Sequence, residues 1–207
     1  MKTNTFKKLT AGLTILLVSA LISEAALAQT VTRIRGTITG YDTQVMAVKT
    51  REGKDLKIKV SDDTSISSVA PMQMSDIKPG SFVGVTAVKK GPDNTQQALE
   101  VHVFPEAARG TGEGHREWDL EPGSTMTNAN VDATVDSNNG KELTLSYKGG
   151  QQKITVPAGT PIVTFVPGDK SQLKAGAEIF TMAQQAADGT VTAQRIVVGS
   201  QGIKPPM

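Results

Sequence analysis

Arg109, Glu113, His115, Arg116, Glu117, Trp118 and Asp119 fall within a dozen positions, and Trp118 is the only tryptophan in the 207-residue chain. An imidazole moves protons near neutral pH. Guanidinium groups grip anions through several N–H donors at once, and carboxylates can orient either. His115, Arg116 and Asp119, with Arg109 and Trp118 beside them, are therefore the candidate ligand-binding residues. They would line a small-ligand cleft at a junction between domains, where pockets tend to form. The competing reading is structural: Trp118 anchors the segment in a groove while neighbouring Arg and Glu side chains satisfy one another.

Other chemistry is thinner. Gly110-x-Gly112-x-Gly114 has the spacing of a phosphate loop, but no helical periodicity follows it, as such a loop requires, and Pro122-Gly123 soon interrupts the chain. These glycines read better as a flexible linker. A metal centre would have to be built from His102, His115 and carboxylates such as Asp62-Asp63, without the i, i+4 spacing of a helical histidine pair. No metal or cofactor is expected. His102 lies between Val101 and Val103 in a strand-like run, which predicts a side chain directed to solvent or to a barrel end. Lys49, Arg51, Lys57 and Lys59 form a basic stripe, with too few exposed aromatics beside it to stack bases. No nucleophile elbow or cofactor fingerprint is present.

The elements that would position these groups come in two copies. Lys57-Ile58-Lys59-Val60, Thr64 and Ile66 recur as Lys153-Ile154-Thr155-Val156, Thr160 and Ile162. Ser75, Ile77, Lys78, Gly80 and Val83 return at the same offset as Ser171, Leu173, Lys174, Gly176 and Ile179. One offset aligning separated blocks marks a duplication. Period-two alternation, as at Leu56, Ile58 and Val60, predicts short strands. Asn139-Gly140, Asp188-Gly189 and Gly91-Pro92-Asp93-Asn94 read as hairpin turns. Met74–Gly80 and Lys170–Gly176 each fit one helical turn with an apolar plug and a terminal glycine. Three strands, a helical turn and a closing hairpin predict an all-β fold of two tandem OB-like five-stranded barrels. An SH3-like barrel is the rival topology. The predicted domains are a first barrel at 29–104, a connector at 105–128, a second barrel at 129–199 and a tail at 200–207.

Gly36-x-Ile38, Lys57-x-Lys59-Val60, Asp76-Ile77-Lys78-Pro79-Gly80-x-x-Val83 and Asp188-Gly189-Thr190-Val191-x-Ala193-x-x-Ile196 resemble an uncharacterised bacterial exported domain family of small, often tandem, β-barrels. The connector from Arg109 to Leu120 resembles that of two-domain proteobacterial exported proteins, some labelled "metal ABC transporter permease". That label conflicts with a chain in which no segment beyond the leader is long and apolar enough to span a bilayer as a helix. The resemblance implies no catalytic residues.

Lys2, Lys7 and Lys8, an apolar run from Leu9 to Ile22 and Ala26-Leu27-Ala28 have the order of a secretory signal peptide at 1–28, cleaved between Ala28 and Gln29. Of 22 basic and 20 acidic residues, that leader takes three lysines and Glu24, so the mature chain balances to zero net charge. Such a chain has no electrostatic drive toward nucleic acid, and no membrane insertion is expected after cleavage. Cysteine is absent, which excludes disulfides and thiolate sites. The expectation is an exported, periplasmic or secreted, non-enzymatic binding or structural module, with a small ligand or a cell-envelope protein as partner. Two alternatives stand beside it: a small-ligand or metal-ion accessory to envelope transport, and a hydrolase-type enzyme with its site at the domain junction.

Overall fold

The computed structural model describes residues 30–90, 95–137 and 140–205. The leader and the predicted turns at 91–94 and Asn139 lie outside them. Twelve strands follow in order: β1 Thr30–Asp42, β2 Val45–Thr50, β3 Asp55–Pro71, β4 Phe82–Lys90, β5 Thr95–Val103, β6 Gly114–Glu117, β7 Thr125–Ser137, β8 Gly140–Tyr147, β9 Gly150–Pro157, β10 Ile162–Pro167, β11 Glu178–Gln185 and β12 Val191–Val198. Single 3₁₀ turns at Met74–Asp76, Glu106–Ala108 and Lys170–Gln172 complete the described elements. No helix among the described residues is long and apolar enough to cross a membrane.

The fold is all-β, a closed five-stranded barrel with further strands built onto it. β1 pairs antiparallel with β2 and with β11, β2 with β3, and β12 closes the ring between β11 and β3, running parallel to β3. The period-two pattern explains the core. Ile34, Ile38, Met46, Val48, Ile58, Val60, Ala193 and Ile196 point inward and are buried, each larger side chain contributing about 1.5–3 kcal/mol. Leu173 plugs this core from the third 3₁₀ turn, and Gly176 leaves that turn at φ 86°, a conformation cheap for glycine. The predicted helical turns are thus present in both copies.

The strands of the two sequence copies pair with one another. β4 and β5 belong by sequence to the first copy, yet β4 pairs with β7, and β5 touches β9 in parallel through Gln97 and Thr155. Ile77, the plug of the first copy, packs on Val131, Leu143, Leu145 and Ile154 of the second. Reciprocally, β11 and β12 complete the ring of β1, β2 and β3. The physical reason lies in β3. It is 17 residues long and runs on past its pairing with β2. At about 3.3 Å per residue it carries the chain out of the barrel and delivers the following plug and hairpin to the strands built onto it. Its far half pairs with β10, and there Val69 faces Phe165, its own counterpart in the duplication.

Between the barrel and the strands built onto it lies a third apolar cluster of Val69, Phe82, Phe104, Val163, Phe165, Phe180 and Val197. The connector lies across this junction.

Candidate functional site

The connector is ordered, not a flexible link. Its glycines sit at turns held by Thr111 N–H donating to the Ala108 carbonyl and Glu113 N–H to the Gly110 carbonyl. β6 then pairs with the edge of β7, opposing His115 to Thr127. Nothing in the alternation of so short a run announced a strand.

The five sequence-predicted residues separate into three groups. Arg109 is a brace. Its guanidinium donates to both Glu106 carboxylate oxygens at 2.6 and 2.7 Å, to Asn130 Oδ1 at 2.7 Å and to the Gly80 carbonyl at 2.9 Å. His115 lies elsewhere, its Nδ1 2.8 Å from Thr127 Oγ1 and its ring stacked on Tyr147. Partial burial, with Arg116 and Lys89 nearby, lowers its pKa. Arg116, Trp118 and Asp119 form the third group. Both Arg33, 4.1 Å from the ring centroid, and Arg116, at 5.6 Å, lie against the Trp118 ring.

Asp119 fastens the connector to β1. Arg35 donates to it at 2.8 Å and Arg33 approaches to 3.5 Å. Burial alone would raise its pKa. The Arg35 hydrogen bond, with the charges of Arg35 and Arg33, outweighs that and leaves it lowered. Arg51, part of the predicted basic stripe, turns toward the same segment and donates to the Leu120 carbonyl at 2.8 Å and the Asp119 carbonyl at 3.3 Å.

Beside this clasp opens a junction cleft of about 320 Å³. Arg35, Gly36, Lys49, Thr50 and Arg51 form one wall and Glu100 of β5 another, with Leu120, Glu178 and Lys204 closing it. Glu100 is buried and accepts from Thr86 Oγ1 at 2.8 Å. Lys49 pairs with Asp55 at 3.3 Å and Lys204 with Glu178 at 3.1 Å. Gly36 is required here, since a Cβ would run into the Lys49 carbonyl and the Val48 side chain. Four cations thus face two carboxylates in a space fit for a small polar molecule. His115 does not line it. Among the described residues no three His, Asp or Glu side chains converge as a metal site would need.

Sequence reasoning missed Arg33 and Arg35 of β1, Glu100 of β5 and Lys204 beyond β12, which are far apart in the chain and meet only at the junction. It also misplaced His102. That ring is fully buried, packed edge-on against Phe104 at 4.7 Å and near Phe165 at 5.3 Å, with neither nitrogen hydrogen-bonded. Burial first, then the charges of Arg195 and Arg116, push its pKa down to about 3. β5 turns Val101 into one apolar cluster and His102 onto the phenylalanines of another, so both of its faces are covered and simple alternation fails as a guide to exposure.

Comparison of the chain with family models, with curated proteins and with solved structures returns no match.

Proposed function

We propose that this chain is an exported, non-enzymatic binding module that seats a small anionic or zwitterionic molecule in the junction cleft. The observation that carries the reading is the cleft's lining: Arg35, Lys49, Arg51 and Lys204 around Glu100 and Glu178, gathered from separated parts of the chain. Guanidinium forks suit carboxylates and phosphates, and the two acids would receive an ammonium or hydroxyl of the same ligand. Export rests on the leader-like sequence at 1–28. The OB-like reading of both strand groups rests on their order, with strand one beside four and strand three parallel to five. Partners in the envelope would act through the ligand, not through insertion of this chain.

The test is a thermal-shift and calorimetric panel of sugar acids, amino acids and phosphorylated sugars. At least one should bind saturably, and Arg51→Ala or Lys204→Ala should weaken it at least tenfold while Lys153→Ala, remote from the cleft, leaves it unchanged. A panel without any such cleft-dependent ligand would contradict the proposal.

A further inference from the structure

A second group of cations adjoins the cleft, its Arg33 sharing Asp119 with Arg35 of the cleft wall. Arg33 and Arg195 are both cross-strand partners of Met182, on β1 and β12 respectively, and so flank it in one row. Arg33 and Arg116 share the Trp118 ring. Arg116 and Arg195 both act on His102, and Arg195 lies over the Phe165 ring that also packs on His102. Three guanidiniums from β1, β6 and β12 therefore gather about one stretch of the junction, against Trp118, Met182 and Phe165.

This charge is poorly balanced. Asp119 reaches Arg33 at 3.5 Å but makes its short hydrogen bond to Arg35. Among the described residues, no carboxylate lies within ion-pair distance of Arg116 or Arg195. Arg116 donates to the Gly112 carbonyl at 2.7 Å and lies over the Trp118 ring. Removal from water lowers the pKa of both, and Arg33 adds repulsion at Arg116. Like charges brought together in partly dry surroundings cost free energy unless an anion joins them.

Independent of the charges, buried polar atoms beside these cations have no partner. Trp118 Nε1 and both nitrogens of the fully buried His102 are buried without a hydrogen bond. Asn128 is half served: its Nδ2 donates to the Thr111 carbonyl at 3.0 Å, while its Oδ1 has no partner. A Cβ placed on Gly112 would lie 3.2 Å from Asn128 Nδ2 and 3.3 Å from an Arg116 nitrogen, which puts this amide beside the cation group. Buried donors without acceptors are rare and call for an explanation. An indole N–H among uncompensated guanidiniums is matched by one kind of guest, an anion with several acceptor oxygens.

We infer that Arg33, Arg116, Arg195 and Trp118 form a binding site for a tetrahedral oxyanion, phosphate or sulfate, distinct from the junction cleft. Donors arriving from three strands and the connector surround a guest better than they line a plane, which favours a tetrahedral anion over a planar carboxylate. The bound anion would cross-link β1, β12 and the connector, so its occupancy would stiffen the junction beside the cleft.

Inorganic phosphate and sulfate are the probes, added to the folded chain at constant ionic strength with chloride as control. The expected result is a saturable rise in melting temperature and a change in Trp118 fluorescence, with millimolar or tighter affinity. Arg195→Gln and Arg116→Gln, each checked for folding by circular dichroism, should weaken binding at least tenfold, and Arg51→Ala should leave it intact. Two variants guard against one that fails to fold. Loss of the response in Arg51→Ala with retention in Arg195→Gln would assign the anion to the cleft and overturn this site. No response beyond that of chloride would overturn it as well. Failure of the cleft proposal would show instead as absence of an Arg51-dependent ligand, so the two ideas stand or fall separately.

Discussion

Gly84→Phe is expected to prevent stable folding on its own, yet to be rescued by adding His102→Val. Gly84 and His102 face each other across β4 and β5. Their counterparts in the other half, Phe180 and Val197, face each other across β11 and β12. Both pairs border the junction, and each supplies one ring and one small residue with the positions interchanged. A Cβ on Gly84 would overlap Nε2 and Cε1 of His102 and come within 2.8 Å of Asn128 Oδ1. The ring has no room to withdraw, being boxed by Phe104 and Phe165. Even Gly84→Ala should therefore cost about 2–3 kcal/mol, the range for overpacking a close-packed core. His102→Val alone should cost about 2 kcal/mol for the space it leaves, partly offset by removing two unpaired buried nitrogens. In the double variant the phenyl ring would take the imidazole's place, as at Phe180 and Val197. Urea denaturation of Gly84→Phe, His102→Val and the Gly84→Phe/His102→Val double variant reads the effect, with Gly84→Ala as the milder single change. Strong positive coupling is expected, and a double variant as unstable as the sum of its parts would refute the compensation.

The second large effect is on acid stability. His102 has a folded pKa of about 3 against an ordinary value of 6.5. Between these pH values the unfolded chain holds a proton that the folded chain refuses. The linkage sign is then fixed: stability is full above pH 6.5 and falls as pH drops toward 3. At about 1.4 kcal/mol per pH unit the whole loss is on the order of 5 kcal/mol. Arg195 on β12 and Arg116 on β6 face the ring and act in the same direction as its burial. His115 adds a smaller contribution of the same sign, since its pKa is also lowered. Asp119 loses its pairing only as pH falls below the ordinary carboxylate range near 3.8, so the interval from 6.5 to about 4.5 belongs chiefly to histidine. Unfolding free energies measured across that interval should slope steeply in the parent chain and much less in His102→Val. Equal slopes would mean that His102 is hydrated or paired in solution.

Much of the local structure can be read directly from the residues. The alternation at Leu56–Val60, the plugs Ile77 and Leu173 and the closing glycines Gly80 and Gly176 each act through their immediate neighbours, so the chain displays them openly. The choice of partner strand is different. β4–β5 and β11–β12 present nearly the same inward pattern, so either hairpin could satisfy either group of three strands. What decides is that β3 runs straight on to β10 instead of bending back, a tertiary preference with little local signature. The candidate site was half legible for the same reason. Trp118 and Asp119 stood out as an aromatic and a charge in a polar connector, whereas Arg35, Glu100 and Lys204 meet only once the hairpins have crossed. One signal was available for His102. The duplication aligns it with Val197 and Gly84 with Phe180, and that paired departure between copies marks two residues in contact.

The exchange of hairpins underlies the junction, its cleft and its cation group, and the absence of cysteine allows it to be tested by a single engineered disulfide. Val31 on β1 opposes Gln184 on β11, at the 4.5–5.5 Å Cα spacing of antiparallel pairs, which a disulfide can bridge. If each copy instead closed its own ring, Val31 would face Val88, the counterpart of Gln184. The decisive measurement is the yield of intramolecular disulfide under mild oxidation, read by non-reducing mass spectrometry of the monomer. The account predicts rapid, near-complete closure for Val31→Cys/Gln184→Cys and none for Val31→Cys/Val88→Cys. The reverse outcome would contradict it.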